Sequence, residues 1–290
     1  MAEACLPGRG HAAVDTGAAG AIVARHAVRS LYQELALYPK PGLVSLVDTG
    51  SHDDMDASTF VRSLFSLRRY FLDIALAGAG GCGFETLRLL GIEAERRMLL
   101  ATGGINTHRG AIFSLGLLCA AAGRAADLSW QPEVLRATLA DCWGEALAGH
   151  RGPGASNGAL VRGRHAAPGA REQAAAGFPA IFDVALPTLR RTLAAGRGLR
   201  CARIDTLFTL MAELSDTNVY HRGGAEGARI VRASSLRFLE RGGTAADDWE
   251  LDAVAAHRRF VAHRLSPGGA ADLLAATCFV HSLATEPGGP

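Results

Sequence analysis

The sequence predicts an all-α protein: a single-domain multi-helix bundle with its polar motif loops at helix ends. Three observations carry that prediction. Apolar residues recur at helical spacing, as in Phe60, Leu64, Leu67, Phe71 and Ile74. The stretch from Ala111 to Ala122 is almost wholly apolar, the pattern of a helix buried on every side. No segment alternates apolar and polar residues for more than a few positions; Leu43 to Val47 is the best strand candidate, and it is short.

Taken in order, residues 1–17 are rich in Gly, Ala and Pro and are expected to form a loose tail before one helical domain over 18–290. A helix is predicted over Ala18 to Leu37, with Ile22, His26, Leu31 and Leu35 on one face. Glu34 near its end opposes the helix dipole, which calls for a local cation or metal unless, as is commoner, the glutamate is solvated. Tyr38 to Phe60 holds two prolines and two glycines and cannot be a regular helix. It carries Lys40, the only lysine in a chain whose other basic residues are arginine, together with His52 and four aspartates. Asp56 or Ser58 can cap the helix that follows, and Gly78 to Gly83 ends it.

Phe84 to Ala101 reads as an amphipathic helix that stops at Thr102-Gly103-Gly104. Asn106-Thr-His108-Arg109-Gly110 then feeds the apolar helix. Polar groups at the mouth of a buried helix must find partners or line a cleft, because leaving them unsatisfied is costly. Gln131 to Gly149 is a further helix. Residues 149–170 lack any period and are expected to be a long loop or lid. Helices are predicted over Ala180–Ala195, interrupted by Pro187, and over Arg203–Leu214, Ala225–Arg241 and Ala246–Arg264. Asp216-Thr-Asn218-Val-Tyr-His221-Arg222-Gly echoes the earlier Asn–His-Arg-Gly, as two walls of one pocket would. Ser266-Pro-Gly268-Gly269 starts the last helix, where bare glycine amides let an anion approach the backbone.

Composition narrows the function. Hydrophobic residues make up 49% of the 290, enough for a large core, and the charges nearly cancel to +2. That balance argues against disorder and against a dedicated nucleic-acid surface. No apolar run reaches membrane-spanning length, and the N-terminus lacks a secretion signal, so a cytoplasmic protein is expected. The six cysteines are scattered without a C-x-x-C pair, which disfavours a zinc site or a disulfide framework.

Six stretches, in order and spanning nearly the whole chain, resemble the triphosphoribosyl-dephospho-CoA synthase family. They are Pro39-Lys-Pro-Gly-Leu-Val44, Gly50-Ser-His-Asp-Asp-Met-Asp56 with Thr59-Phe60, Gly104-Ile-Asn-Thr-His-Arg-Gly-Ala-Ile-Phe113, Arg171 with Gly177-Phe-Pro179, Asp216-Thr-Asn-Val-Tyr-His-Arg222, and Ser266-Pro-Gly-Gly-Ala-Ala-Asp-Leu-Leu274. Leu43-Val-Ser, Asp48-Thr-Gly-Ser-His and Arg68-Arg-Tyr-Phe71 look closer to the malonate-decarboxylase branch than to the citrate-lyase branch. Tyr38, Asp53 and Arg109 depart from the usual pattern, and Asp53 is set aside as a required ligand for that reason.

The resemblance implies a transferase that joins ATP to 3′-dephospho-CoA with release of adenine, making a prosthetic-group precursor for the acyl-carrier subunit of malonate decarboxylase. Magnesium is expected with ATP as substrate. On this reading the acid or base is His108, His52 or His221, supported by Asp216. Lys40, Arg109, Arg222, Ser266 and the Gly268–Gly269 amides bind triphosphate, while Asn106 and Asn218 orient ribose. Glu34, Asp54, Asp56 and Asp272 hold Mg²⁺. Two other classes fit the residues alone: a Mg²⁺-dependent hydrolase of an N-glycosidic or phosphoester bond, and a non-catalytic nucleotide-binding module.

Overall fold

The computed structural model describes residues 15–150, 170–287 and 289. Its α-helices, in chain order, are α1 (Thr16–Leu35), α2 (Ala57–Ser66), α3 (Arg68–Ala79), α4 (Phe84–Thr102), α5 (Arg109–Arg124) and α6 (Pro132–Gly149), then α7 (Ala170–Ala175), α8 (Leu186–Ala194), α9 (Gly198–Glu213), α10 (Thr217–Glu240), α11 (Trp249–Ala262) and α12 (Gly268–Ala284). A π-helical turn (Ala180–Ala185) leads into α8, and a 3₁₀ turn (Gly243–Ala245) precedes α11. No strand occurs among the described residues. Leu43 to Val47 lies in a loop instead. Most of the tail expected over 1–17, and the lid expected over 149–170, fall outside the described residues; Thr16 and Gly17 already belong to α1.

Local chemistry sets most helix ends. The Asp15 carboxylate accepts from the amides of Gly17 and Ala18 and starts α1. Asp56 and Thr59 form a reciprocal capping box on α2. Pro132 opens α6, where a missing N–H costs nothing, and left-handed Gly103 closes α4. The single helix expected from Phe60 to Ile74 is two, because the chain turns at fully buried Leu67. Helix α10 joins two helices across a kink at Gly224 (φ 59°, ψ −155°): the second starts at Ala225, as expected, and the first, from Thr217, adds to the expected elements. Pro187 cannot donate to the carbonyl four residues back, and the ladder just before it widens to π-helical spacing.

The buried residues form two apolar clusters. One is built mainly from α1 to α6; the other comes from α8 to α11 and the Leu37–Leu43 loop. Helix α12 joins them. Ala275, Phe279, Val280 and Leu283 pack into the first cluster, while Ala270, Leu274 and Cys278 pack into the second. At the centre of the first, α5 is buried on nearly every face, as its composition predicts. It meets α3 backbone to backbone. A Cβ on Gly78 would lie 2.1 Å from the Ala120 carbonyl oxygen, and one on Gly123 would lie 1.9 Å from that of Ala75. These contacts lie toward the carboxyl end of α5; at its amino end Gly110 meets Asp272 of α12.

Candidate active site

The Lys40 loop is held against the α11–α12 connection by tight backbone contacts. Gly42 is left-handed (φ 69°), and a Cβ there would sit 2.1 Å from the Leu265 carbonyl oxygen. Ser51 Oγ donates to that same carbonyl at 2.6 Å, and the Lys40 carbonyl accepts from His257 Nδ1 at 3.1 Å. So fixed, Lys40 turns inward. Its side chain is only 1% exposed, and its Nζ pairs with Glu34 Oε1 at 2.5 Å. The cation that Glu34 called for at the end of α1 is therefore the Lys40 ammonium. Burial pulls the Lys40 pKa down, and the charges of Glu34 and Asp48 push it back up.

Around this pair stand three groups from distant parts of the chain. Asp272 in the first turn of α12 reaches the amino end of α5, where its carboxylate accepts from the Ala111 amide. Gly110 permits that approach, since a Cβ there would lie 2.0 Å from Asp272 Oδ2. Burial, then the charges of Glu34 and Asp216, hold the Asp272 pKa well above the carboxylate range. Asp216 caps α10 through Asn218 N at 2.9 Å and accepts from Ala270 N at 3.0 Å, with the amides of Gly269 and Val219 close by. Burial raises its pKa and those amides oppose the rise.

His108 is the third group. Its ring is buried, edge-on to Phe60 at 5.0 Å. Thr107 Oγ1 donates to Ser63 Oγ at 2.7 Å, and Ser63 Oγ lies 2.6 Å from His108 Nδ1. With Ser63 donating, the ring proton sits on Nε2, which is buried and has no partner. Burial, with the nearby Lys40 charge, lowers the His108 pKa to about 3, so the ring is neutral. Between pH 6.5 and about 3 the unfolded chain then binds a proton that the native state refuses, and stability falls as pH falls. His108→Gln is expected to flatten that slope, recovering a few kcal/mol relative to the parent at the acid end. Urea denaturation at pH 5 and 6.5 checks this; parallel slopes for the two proteins would refute it.

A second cluster forms the rim. His52 Nδ1 accepts from Arg222 Nη2 at 3.0 Å, and its Nε2 lies 2.9 Å from Ser266 Oγ. Arg222 Nη1 also donates to the Ser51 carbonyl at 3.0 Å. Burial and the Arg222 charge lower the His52 pKa; Asp54, 3.6 Å away, works the other way. Exposed Asn106 accepts from the Arg109 amide at 3.2 Å, and exposed Arg109 pairs with Glu95. Asn218 and His221 are exposed on the first turn of α10.

Several expected roles meet different surroundings. The carboxylates assigned to Mg²⁺ do not converge: no group of three or more His, Cys, Asp and Glu among the described residues could hold a metal ion. Glu34 is taken by Lys40, and Asp54 is exposed beside His52. Asp56 is an exposed helix cap, its pKa lowered to about 2 by bonds from the Thr59 amide and the Ser58 and Thr59 hydroxyls. The glycine amides of α12 are not bare either. The Asp216 carboxylate lies against Gly269 and takes the next amide, that of Ala270, while Gly268 N donates to the Ser266 carbonyl. Lys40 is enclosed rather than offered to solvent. The two Asn–His-Arg-Gly stretches both open helices, but His108 is buried and His221 is not.

Ser63, Thr107 and His257 also belong to the site. Thr107 lies inside a motif and was open to discovery there. Ser63, with Ser58 and Ser66 on the same short helix, carries no sequence signal.

An all-helical scaffold thus gathers titratable groups from four polar motifs around one buried ion pair, the arrangement of an enzyme. The chain belongs to the ATP:dephospho-CoA triphosphoribosyl transferase family, which matches over residues 21–289. It is similar to the 2-(5''-triphosphoribosyl)-3'-dephosphocoenzyme-A synthase of Pectobacterium atrosepticum, with 37% identity over 278 residues covering 89% of this chain and 87% of that one. It is also 39% identical to a probable synthase of the same name from Acinetobacter calcoaceticus, over 89% of this chain and 92% of the relative. For the corresponding protein of Pseudomonas syringae pv. tomato the identity is 40%, over 89% of each. No solved structure matches the chain.

Proposed function

We propose that this enzyme transfers the triphosphoribosyl group of ATP to the 2′-hydroxyl of 3′-dephospho-CoA and releases adenine. The C1′–N bond of ATP breaks, a C1′–O2′ bond forms, the hydroxyl proton is taken up, and adenine leaves with a proton. Family membership over nearly the whole chain supports the substrates. The observation that carries the chemistry is the convergence of Glu34, Lys40, His108, Asp216 and Asp272 from four separate stretches.

The roles follow from the demands of that reaction. Cleaving the glycosidic bond builds positive charge on the ribose, which a carboxylate stabilises. Glu34, held in place by Lys40, is the group for this. Leaving adenine needs a proton, and Asp272, its pKa raised by burial, is the donor assigned to it. The attacking hydroxyl needs a base. His108 spends its Nδ1 lone pair on Ser63, leaving only the Nε2 proton, and His52 spends both ring nitrogens on Ser266 and Arg222. His221, which makes no hydrogen bond to the described residues, has a lone pair to spare and is assigned as base. Arg109 and Arg222 meet the triphosphate from the rim. Mg²⁺ arrives with ATP, held mainly by phosphate oxygens and water rather than by a protein cage. We assign the product to the acyl-carrier subunit of malonate decarboxylase and the enzyme to the cytoplasm; no helix among the described residues is long and apolar enough to cross a membrane.

The test is chromatography of purified protein with ATP, Mg²⁺ and 3′-dephospho-CoA. Free adenine and a conjugate of both substrates are expected in equal amounts, and neither when one substrate is omitted. Adenine or phosphate release from a single substrate would make the protein a hydrolase. ATP left intact over long incubation with both substrates would make it a binding module.

A further inference from the structure

A cleft of about 460 Å³ opens beside the Lys40 loop, between the end of α1 and the start of α9. Tyr32, Gln33, Ala36 and Tyr38 form one side, and Arg200 and Arg203 form the other. Its size is that of a small-molecule site, and its lining holds two guanidiniums and no carboxylate.

The two arginines differ. Arg200 is committed: its Nε donates to the Tyr38 carbonyl at 3.1 Å, its Nη1 pairs with Glu250 at 2.6 Å, and it stacks on Trp249 at 5.0 Å. Arg203 pairs with no carboxylate among the described residues, and its Nε is buried without a partner. Its side chain lies beside the thiol of Cys278. A guanidinium is always charged, and a buried N–H with no acceptor costs free energy. Tyr32, 48% exposed, and Tyr38 supply aromatic surface at the rim.

We infer that this cleft is a second anion site, in which Arg203 takes a phosphate group of one of the two nucleotide substrates while Tyr32 and Tyr38 flank it. The naming of the nucleotides rests on the proposed reaction; the anion site does not. Both substrates carry phosphate esters, and the cleft holds only part of either.

Binding is measured without turnover, by calorimetric titration of pyrophosphate, ATP and 3′-dephospho-CoA separately. The proteins are the parent chain, Arg203→Gln and Ala36→Glu. Ala36 is exposed, so a carboxylate there sets a repulsive charge at the cleft without disturbing the core. Both variants are expected to bind pyrophosphate and at least one nucleotide 10-fold or more weaker, with an unchanged melting temperature. Loss for ATP alone assigns the triphosphate, and loss for dephospho-CoA alone assigns its diphosphate. Parent-like affinities in Ala36→Glu for all three ligands overturn the proposal, whatever Arg203→Gln does. A parent protein that binds pyrophosphate in the cleft yet releases no adenine refutes the reaction and leaves the site standing.

Discussion

Lys40→Met is expected to destabilise the protein by about 3–5 kcal/mol, because it strands the Glu34 carboxylate without a partner in the interior. Glu34 is 5% exposed and Lys40 is 1% exposed, so solvent screens neither. The pair itself is weak evidence of net stability, since each charge gave up its hydration to reach the interior; breaking it is what costs. The double variant Lys40→Met/Glu34→Gln is therefore expected to recover most of the loss. Adenine release should stay low in both: the double variant has no carboxylate at position 34, and the single variant has lost the ammonium that holds Glu34 in place. Guanidinium denaturation and an adenine assay separate the two effects. A single variant as stable as the parent would mean that Glu34 escapes to solvent or takes up a proton, and the ion pair would lose its place at the centre of the site. A double variant with full activity would remove the catalytic part of the account.

Asp272→Asn is expected to lower kcat by about 10²–10⁴-fold, the range for removing a general acid, with a small effect on either KM. The amide still accepts from the Ala111 amide, so the fold should survive. The pH profile is the discriminating measurement. Loss of activity in the parent as pH rises through the raised Asp272 pKa should be absent from the variant, since asparagine has no proton to lose. Gly110→Ala probes the same carboxylate from the other side, because its Cβ would need space within 2.0 Å of Asp272 Oδ2. It should reproduce the kcat loss with aspartate still present. An alkaline limb that survives in Asp272→Asn belongs to some other group and would strip Asp272 of its proton-donating role.

The helices were legible because their signals are local. A 3.6-residue apolar period, an Asp before a helix and a Gly after one act within a few residues. The buried character of α5 could be read from its composition for the same reason. Boundaries failed where a distant contact decided them. Nothing in Phe60 to Ile74 announces a turn at Leu67, and the extra helical segment ahead of Gly224 starts at Asp216, which also accepts from the Ala270 amide of α12. Site residues follow the same division. Lys40 stood out as a lone ammonium and Glu34 as an acid at the wrong end of a helix, and they prove to be partners. Ser63 and Arg203 carry no local mark, and each matters only through what packs against it.

By itself the sequence determined the helical class, the order of the polar motifs and the family to which they belong, since all three are properties of residue type and spacing along the chain. The tertiary structure alone decided which charges are enclosed. Lys40 turns in toward Glu34, Asp216 lies against the α12 glycine that seemed open to phosphate, and Asp56 stays outside as a cap. The reason is physical: the energy of a charge is set by how much water and which opposite charges surround it, and those neighbours come from chain segments that meet only when the bundle closes.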